Sequence, residues 1–270
     1  MAQTAIITLT TDFGLNDHFI GAMKGVILEI APDAQIIDIS HAVQPFDILD
    51  GALTISQAYA YFPSGTVHMV IVDPGVGTAR RPVILTGDRH LFVAPDNGVL
   101  SLVYDREERI SVRHITAEHY FLQPRSNTFH ARDIFSPVAA YLARGAEPHR
   151  FGEEIADYVR FAAPRPKPMD ERTLRGVVLK VDRFGNLVTN ITPQDAPQLF
   201  GEAPPAFKIA IGTKAQATRI CTTYAEGAPG EVFGILGSMG FLEVATNRGS
   251  AYQLMGAGKG SEVNVVMEGR

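Results

Sequence analysis

Five short stretches of this 270-residue chain carry side chains able to do chemistry. The first, Thr10-Thr11-Asp12-Phe13-Gly14-Leu15-Asn16-Asp17, sets carboxylates beside a glycine turn. Asp12 can accept two hydrogen bonds from a ribose diol, since charge-assisted bonds of this kind are short and geometrically selective. It can equally cap the helix that follows, which is the reading favoured for Asp17. The second is Asp73-Pro74-Gly75-Val76-Gly77-Thr78-Ala79-Arg80-Arg81. Asp73 and Arg80 can face each other across its turn, either as a working pair or as a surface ion pair. Its glycines do not complete the dinucleotide fingerprint, and no Gly-Lys-Ser/Thr follows to make a phosphate loop.

The third stretch, Asn127-Thr128-Phe129-His130-Ala131-Arg132-Asp133, offers His130 as a general base, because imidazole titrates at about 6.5. Histidines near helix starts are more often structural or merely exposed. Asp133 reads as a helix N-cap, or with Arg132 as a brace for the loop. The fourth, Asp182-Arg183-Phe184-Gly185-Asn186, is either an ordinary β-turn or a site. As a site, its carboxylate holds an ammonium group and its amide meets hydroxyls. The fifth runs from Leu236-Gly237-Ser238-Met239-Gly240 to Asn247-Arg248-Gly249. Ser238 between glycines is not a nucleophile elbow, which needs G-x-S-x-G at a strand-to-helix turn. Hydrogen bonding to a carboxylate suits it better.

The elements that must position these side chains alternate in type over the first 163 residues. Ala5–Leu9, Ile36–Ile39, Val67–Val72, Val83–Leu85 and Leu91–Val93 read as strands. Phe19, Ile20, Met23, Val26, Ile27 and Ile30 recur at helical spacing, with Asn16 or Asp17 placed to cap that helix; Ile48–Tyr61 and Ile134–Ala143 also read as helices. This alternation predicts an α/β/α sandwich with a mostly parallel sheet, whose ligands lie outside the carboxyl ends of the strands. The loops carrying Asp12 and Asp73 occupy that place. Pro164, Pro166 and Pro168 mark a stiff linker over 164–174. From 175 to 270 strand follows strand: Val177–Val181, Leu187–Ile191, Phe207–Ile211, Val232–Leu236, Phe241–Ala245 and Val263–Met267. That pattern predicts a small antiparallel β-barrel.

Hydrophobic residues make up 46% and charged residues 20%, as in a globular protein. The formal net charge of −5, with no basic tract, argues against nucleic acid or anionic membranes as partners. A lone Cys221 rules out an intrachain disulfide and fits a reducing compartment. Met1–Leu9 lacks the charged start of a signal peptide, and no apolar run reaches membrane-spanning length, so a cytoplasmic location is expected.

Taken together and in this order, Thr-Thr-Asp12-Phe-Gly, Val-Asp73-Pro-Gly-Val-Gly-Thr-Ala-Arg80-Arg, Asn-Thr-Phe-His130, Asp182-Arg-Phe-Gly-Asn186 and Phe-Leu-Glu-Val-Ala-Thr-Asn-Arg-Gly resemble one family, from about Ile6 to Val266. It is the S-adenosylmethionine (SAM) hydrolase family, or SAM hydroxide adenosyltransferases, relatives of fluorinase and chlorinase. The resemblance implies displacement at C5′ of the nucleoside by water, giving adenosine and methionine. Asp73, Arg80 and His130 match the family's Asp-Arg-His set, which the halogenases lack. There is also no long insertion between Arg81 and Asn97. Asp12 matches the ribose-binding aspartate, Asp182 the residue for the methionine ammonium, Asn186 a ribose contact and Ser238 a serine near the methionine end. Phe46 and Tyr224 match aromatic positions around the nucleoside. Met239 stands where the fluorinase has arginine, so that role does not carry over. A homotrimer is implied, each site shared between two subunits, with SAM as substrate and no further cofactor or metal.

The chemistry is consistent with that assignment. A sulfonium already makes a neutral leaving group, so the difficult part is the nucleophile, bulk water having a pKa of about 15.7. Arg80 can stabilise hydroxide but cannot act as base; His130 can take the proton directly or through water. Other readings are a metal-dependent nucleotidase or phosphatase using Asp12, Asp17, His18, Asp73 and His130, a chlorinase-like halogenase, and a non-catalytic adenosine- or SAM-binding module.

Overall fold

The structure is a computed structural model and describes residues 5–212 and 214–268. Residues 1–4, part of the stretch read as lacking a signal peptide, lie outside the described residues. The chain divides into two compact units, Met1–Ala162 and Ala163–Arg270.

The first unit runs β1 (Ile6–Thr11), α1 (Phe19–Ile30), β2 (Gln35–Ser40), α2 (Ile48–Ala58), β3 (Val67–Ile71), β4 (Pro82–Thr86), β5 (Leu91–Pro95), α3 (Ser101–Tyr104), β6 (Ser111–His114), α4 (Ser136–Ala143) and β7 (Glu154–Ile155). Its sheet has the order β2-β1-β3-β5-β4-β6-β7. The half from β2 to β5 is parallel, and the half from β5 to β7 is antiparallel. Strand alternation explains the layers. Val67, Met69 and Ile71 join Ile7, Leu9, Met23 and Val138 in one core, while Val70 and Val72 join Ile55, Leu100 and Val103 in another. Helices therefore cover both faces, which is why every residue of β3, His68 included, is buried. Each such buried aliphatic side chain contributes about 1.5–3 kcal/mol of burial energy.

Two helix starts differ from the sequence expectation. The N-cap of α1 is His18, with no side-chain cap, and Asn16 and Asp17 stay exposed. The first helical bond there runs from Ala22 N–H to the His18 carbonyl, beyond the reach expected of Asp17. Asp133 is not an N-cap either. It lies fully buried inside a π-helical turn, Ala131–Phe135, that leads into α4, and its carboxylate is taken up by Ser126 and Arg132.

The second unit runs β8 (Lys167–Pro168), β9 (Thr173–Val181), β10 (Leu187–Thr189), β11 (Phe207–Ile211), β12 (Gln216–Ala217), β13 (Ile220–Cys221), β14 (Val232–Leu236), β15 (Leu242–Thr246), α5 (Ala251–Met255) and β16 (Glu262–Met267). The strand order is β12-β11-β16-β9-β10-β15-β14-β13, with β8 added on β9. Only β13 with β14 is parallel among these described pairs. Because β12 also lies against β14, the sheet curls into a nearly closed barrel around Val178, Leu187, Ile209, Val244 and Val265. The proline-rich stretch ends in pairing, Lys167 opposite Arg175 and Pro168 opposite Leu174. No helix among the described residues is long and apolar enough to cross a membrane.

Candidate active site

In the first unit the candidates gather at the carboxyl ends of β1 and β3, adjacent parallel strands that pair Thr11 with Ile71. Asp12 follows β1 directly. Its Oδ2 accepts a hydrogen bond from the Phe46 backbone N–H at 2.8 Å. Burial, helped by the negative charge of Asp73, lifts its carboxyl above the usual range. Phe46 is 73% exposed and holds φ at 66°, a conformation that costs a bulky residue about 1–3 kcal/mol and that clusters at ligand sites. The two loops are tied together further back, where Gly14 N–H donates to the His41 carbonyl and Thr11 Oγ1 bonds His41 Nδ1 at 2.8 Å.

Asp73 and Arg80 do face each other. Arg80 Nε donates to both Asp73 oxygens at 2.9 Å, and Nη2 donates to Oδ2 at 2.5 Å. Their side chains are only 5% and 9% exposed, which rules out the surface ion pair. The guanidinium also lies 5.3 Å from the centre of the Phe135 ring. Its Nη2 reaches His130 Nδ1 at 2.9 Å, so Asp73, Arg80 and His130 form one connected set. Burial first, and then the positive charge of Arg80, push the His130 imidazole below its ordinary pKa.

The contact between the loops depends on Gly77. Its φ is 77°, and a Cβ there would stand 2.3 Å from the Asn127 carbonyl oxygen, so only glycine lets the two loops touch. Asp133 braces the other side, accepting from Ser126 N–H at 2.8 Å and from Arg132 at 2.7 Å. The π-helical turn directly after His130 is a kind of irregularity that recurs at functional sites. Arg81 was given no role from sequence, yet it anchors the same loop. It donates to Asp96 at 2.7 and 2.9 Å and to Asp157 at 2.8 Å.

In the second unit Asp182 organises the turn between β9 and β10. Its Oδ1 accepts from the N–H groups of Phe184 and Asn186, and Oδ2 accepts from Asn186 Nδ2, each at 2.8 Å. The β-turn reading and the site reading thus describe the same carboxylate. Gly185 is needed here: at φ 84° a Cβ would meet Ser250 Oγ at 2.3 Å. Tyr224 donates its hydroxyl to Glu243 Oε2 at 3.2 Å. Burial, with the charges of Glu243 and Asp182, pushes the Tyr224 phenol up to about 12. Burial and the neighbouring Asp182 likewise raise Glu243. Exposed Ser238 sits in the β14–β15 hairpin, and a Cβ on Gly237 would fall 1.9 Å from Glu243 Oε1. Asp182, Tyr224, Glu243 and the Ser238 hairpin therefore share one neighbourhood.

Sequence reasoning missed Glu243, although the carboxylate stood in a quoted motif. It also missed a cavity of about 600 Å³ lined by Ala225, Asn247, Arg248, Ser250, Gln253 and Leu254. Arg248 holds φ at 52°, and the buried Thr246 Oγ1 beside it has no partner among the described residues. Neither feature leaves a local sequence signal beyond the neighbouring Gly249. Among the described residues no three His, Cys, Asp or Glu side chains group in a way that could hold a metal ion. His18, one of the residues considered as a ligand, packs instead on Phe19 and Phe129, with ring centres 4.6 and 6.3 Å apart.

Residues 7–152 match the SAM hydroxide adenosyltransferase N-terminal domain, and residues 176–264 match the C-terminal domain of that family. The chain is 36% identical over 263 residues to a Thermus thermophilus protein named (R)-S-adenosyl-L-methionine hydrolase, covering 95% of this chain and 97% of that one. It is 28% identical to a fluorinase of Nocardia brasiliensis, covering 91% of each chain. A crystal structure of an uncharacterised conserved protein from Thermotoga maritima superposes with a TM-score of 0.87 at 34% identity, covering 98% of this chain and all of that one. The chain belongs to the SAM hydroxide adenosyltransferase family.

Proposed function

We propose that this enzyme hydrolyses S-adenosylmethionine to adenosine and methionine, water displacing the thioether at C5′. The observation that carries the reading is the buried Asp73–Arg80–His130 set in a member of this family. A binding module needs the ribose and methionine contacts but has no use for a guanidinium and an imidazole held against each other. Asp73 fixes the Arg80 fork and balances its charge, leaving Arg80 directed at the attacking oxygen as a preorganised electrostatic group. The sulfonium supplies its own neutral leaving group, so neither a metal nor a covalent intermediate has a task in the reaction.

Asp12 takes the ribose diol, with Phe46 beside the nucleoside. Asp182 holds the methionine ammonium, while Asn186, Tyr224 and Ser238 complete the substrate contacts. We take the substrate to be the (R) sulfonium epimer, following the name carried by the relatives. A sulfonium bearing three different carbon groups is chiral and inverts slowly. Hydrolysis confined to one epimer would spare the other for methyl transfer, which gives a reason for consuming this compound at all. The enzyme works as a cytoplasmic homotrimer with shared sites.

The test is to incubate the purified protein with each resolved epimer and to quantify adenosine and methionine by chromatography. Release of both products from the (R) epimer, well ahead of the (S) epimer, is expected. No release from either epimer would remove the activity; equal release would remove only the stereochemical assignment.

A further inference from the structure

We infer that His130 serves the attacking water as a hydrogen-bond donor through Nε2–H, and that the proton lost by that water goes to solvent, not to the imidazole. This inference rests on the hydrolytic reading above. It follows from one contact: Arg80 Nη2 lies 2.9 Å from His130 Nδ1. A guanidinium has only N–H donors and no acceptor, so in this pair Nδ1 must be the acceptor. Its lone pair is therefore occupied. A neutral imidazole with a bare Nδ1 carries its proton on Nε2, and that nitrogen can only donate.

The surroundings hold this tautomer. Asp73 takes three bonds from Arg80 and fixes the guanidinium where Nη2 meets Nδ1. His130 is 8% exposed, and among the described residues no hydrogen bond reaches its Nε2. A second proton on Nδ1 would set a cation directly against Arg80; burial first, and then that same positive charge, keep the imidazole below its ordinary pKa. Arg80 Nη1 likewise has no partner among the described residues, so it keeps both N–H groups for a ligand. Two kinds of donor are then left for the attacking oxygen and favour its hydroxide form. In the reaction the oxygen forms the C5′–O bond as C5′–S breaks, the bonding pair leaves with sulfur as a neutral thioether, and solvent water carries the proton away.

Nitrogen NMR of protein labelled in its histidines tests the tautomer without substrate, the His130 signals being those lost in His130→Gln. A bare Nδ1 and a protonated Nε2 at neutral pH are expected; a protonated Nδ1 overturns the inference. The kinetic arm compares His130→Gln with His130→Ala, after melting curves show both folded. With the proton passing to solvent, the rate should rise with pH; glutamine keeps an N–H donor but cannot take a proton, so it should retain at least about tenfold more kcat than alanine and keep that rise. Equal loss in both variants, or loss of that rise in the glutamine variant, overturns the inference. If the wild-type protein releases no adenosine, the activity fails while the NMR measurement still decides the tautomer.

Discussion

Arginine at position 80 does three things at once: it pairs with Asp73, meets His130 Nδ1 and keeps an outer nitrogen for a ligand. Lysine would keep the charge but lose the planar fork that makes those contacts simultaneous. Arg80→Lys should therefore lower kcat by about 10²–10³-fold, the usual cost of a lost preorganised donor. Adenosine affinity, measured by calorimetry, should change little, because Asp12 and Phe46 are untouched. A parallel collapse of affinity would place Arg80 in binding instead. At this scale much was legible in the sequence. Asp73, Arg80 and His130 are separated along the chain; their types alone left a surface ion pair and a structural histidine open, and only the resemblance of the whole motif set to one family singled them out. What was not legible was which nitrogen of His130 is free, since that depends on an atom fifty positions away along the chain. Glu243 was hidden for a similar reason: the sequence of β15 gives no sign that its one carboxylate is buried beside Tyr224.

At the scale of elements, two loops meet only because Gly77 has no side chain. Gly77→Ala adds a Cβ at 2.3 Å from a backbone oxygen and forces a residue with a side chain to φ 77°. The Asp73 loop should shift away from Asn127, costing about 1–3 kcal/mol of stability and at least about tenfold in kcat. Calorimetric melting and steady-state rates check this, and an unchanged kcat would separate the loop contact from catalysis. A second prediction concerns β3 far from that site. His68 is fully buried, its Nδ1 bonds Thr8 Oγ1 at 2.7 Å, and its Nε2 is unpartnered among the described residues. Burial, with the nearby His90, brings its pKa down to about 3. The unfolded chain takes up this proton at about 6.5, so the stabilisation is whole above that pH and is lost as pH falls toward 3, by up to ~1.4 kcal/mol per pH unit. His68→Phe should melt with a shallower decline between those limits; an equal decline would exonerate this imidazole. The longer strands were readable from their period and apolar runs, whereas β6, β7, β8, β12 and β13 were not, being too short to show a period. The helix starts were not, because His18 and the π-helical turn owe their geometry to contacts with Phe129, Ser126 and Arg132 rather than to local capping residues.

For the whole molecule, the change from alternating elements to strand after strand was plain in the sequence, and it marks a parallel-rich sheet followed by a barrel-like one. The antiparallel half of the first sheet was less legible, since β4 carries no sign of its direction and the short β6 and β7 gave no strand signal at all. Assembly is tested by mixing two inactive variants, Asp12→Ala and Asp182→Ala, after subunit exchange is verified. Shared sites predict that some mixed interfaces regain turnover, and no recovery would contradict sharing. Attack on C5′ by water held at Arg80 and His130 fixes where the water's oxygen ends up. Its most direct test is turnover of S-adenosylmethionine in water enriched in heavy oxygen, with mass spectrometry of both products. The label should appear in the 5′-hydroxyl of adenosine and not in methionine; label in methionine, or a nucleoside product that keeps its sulfur, would rule this attack out.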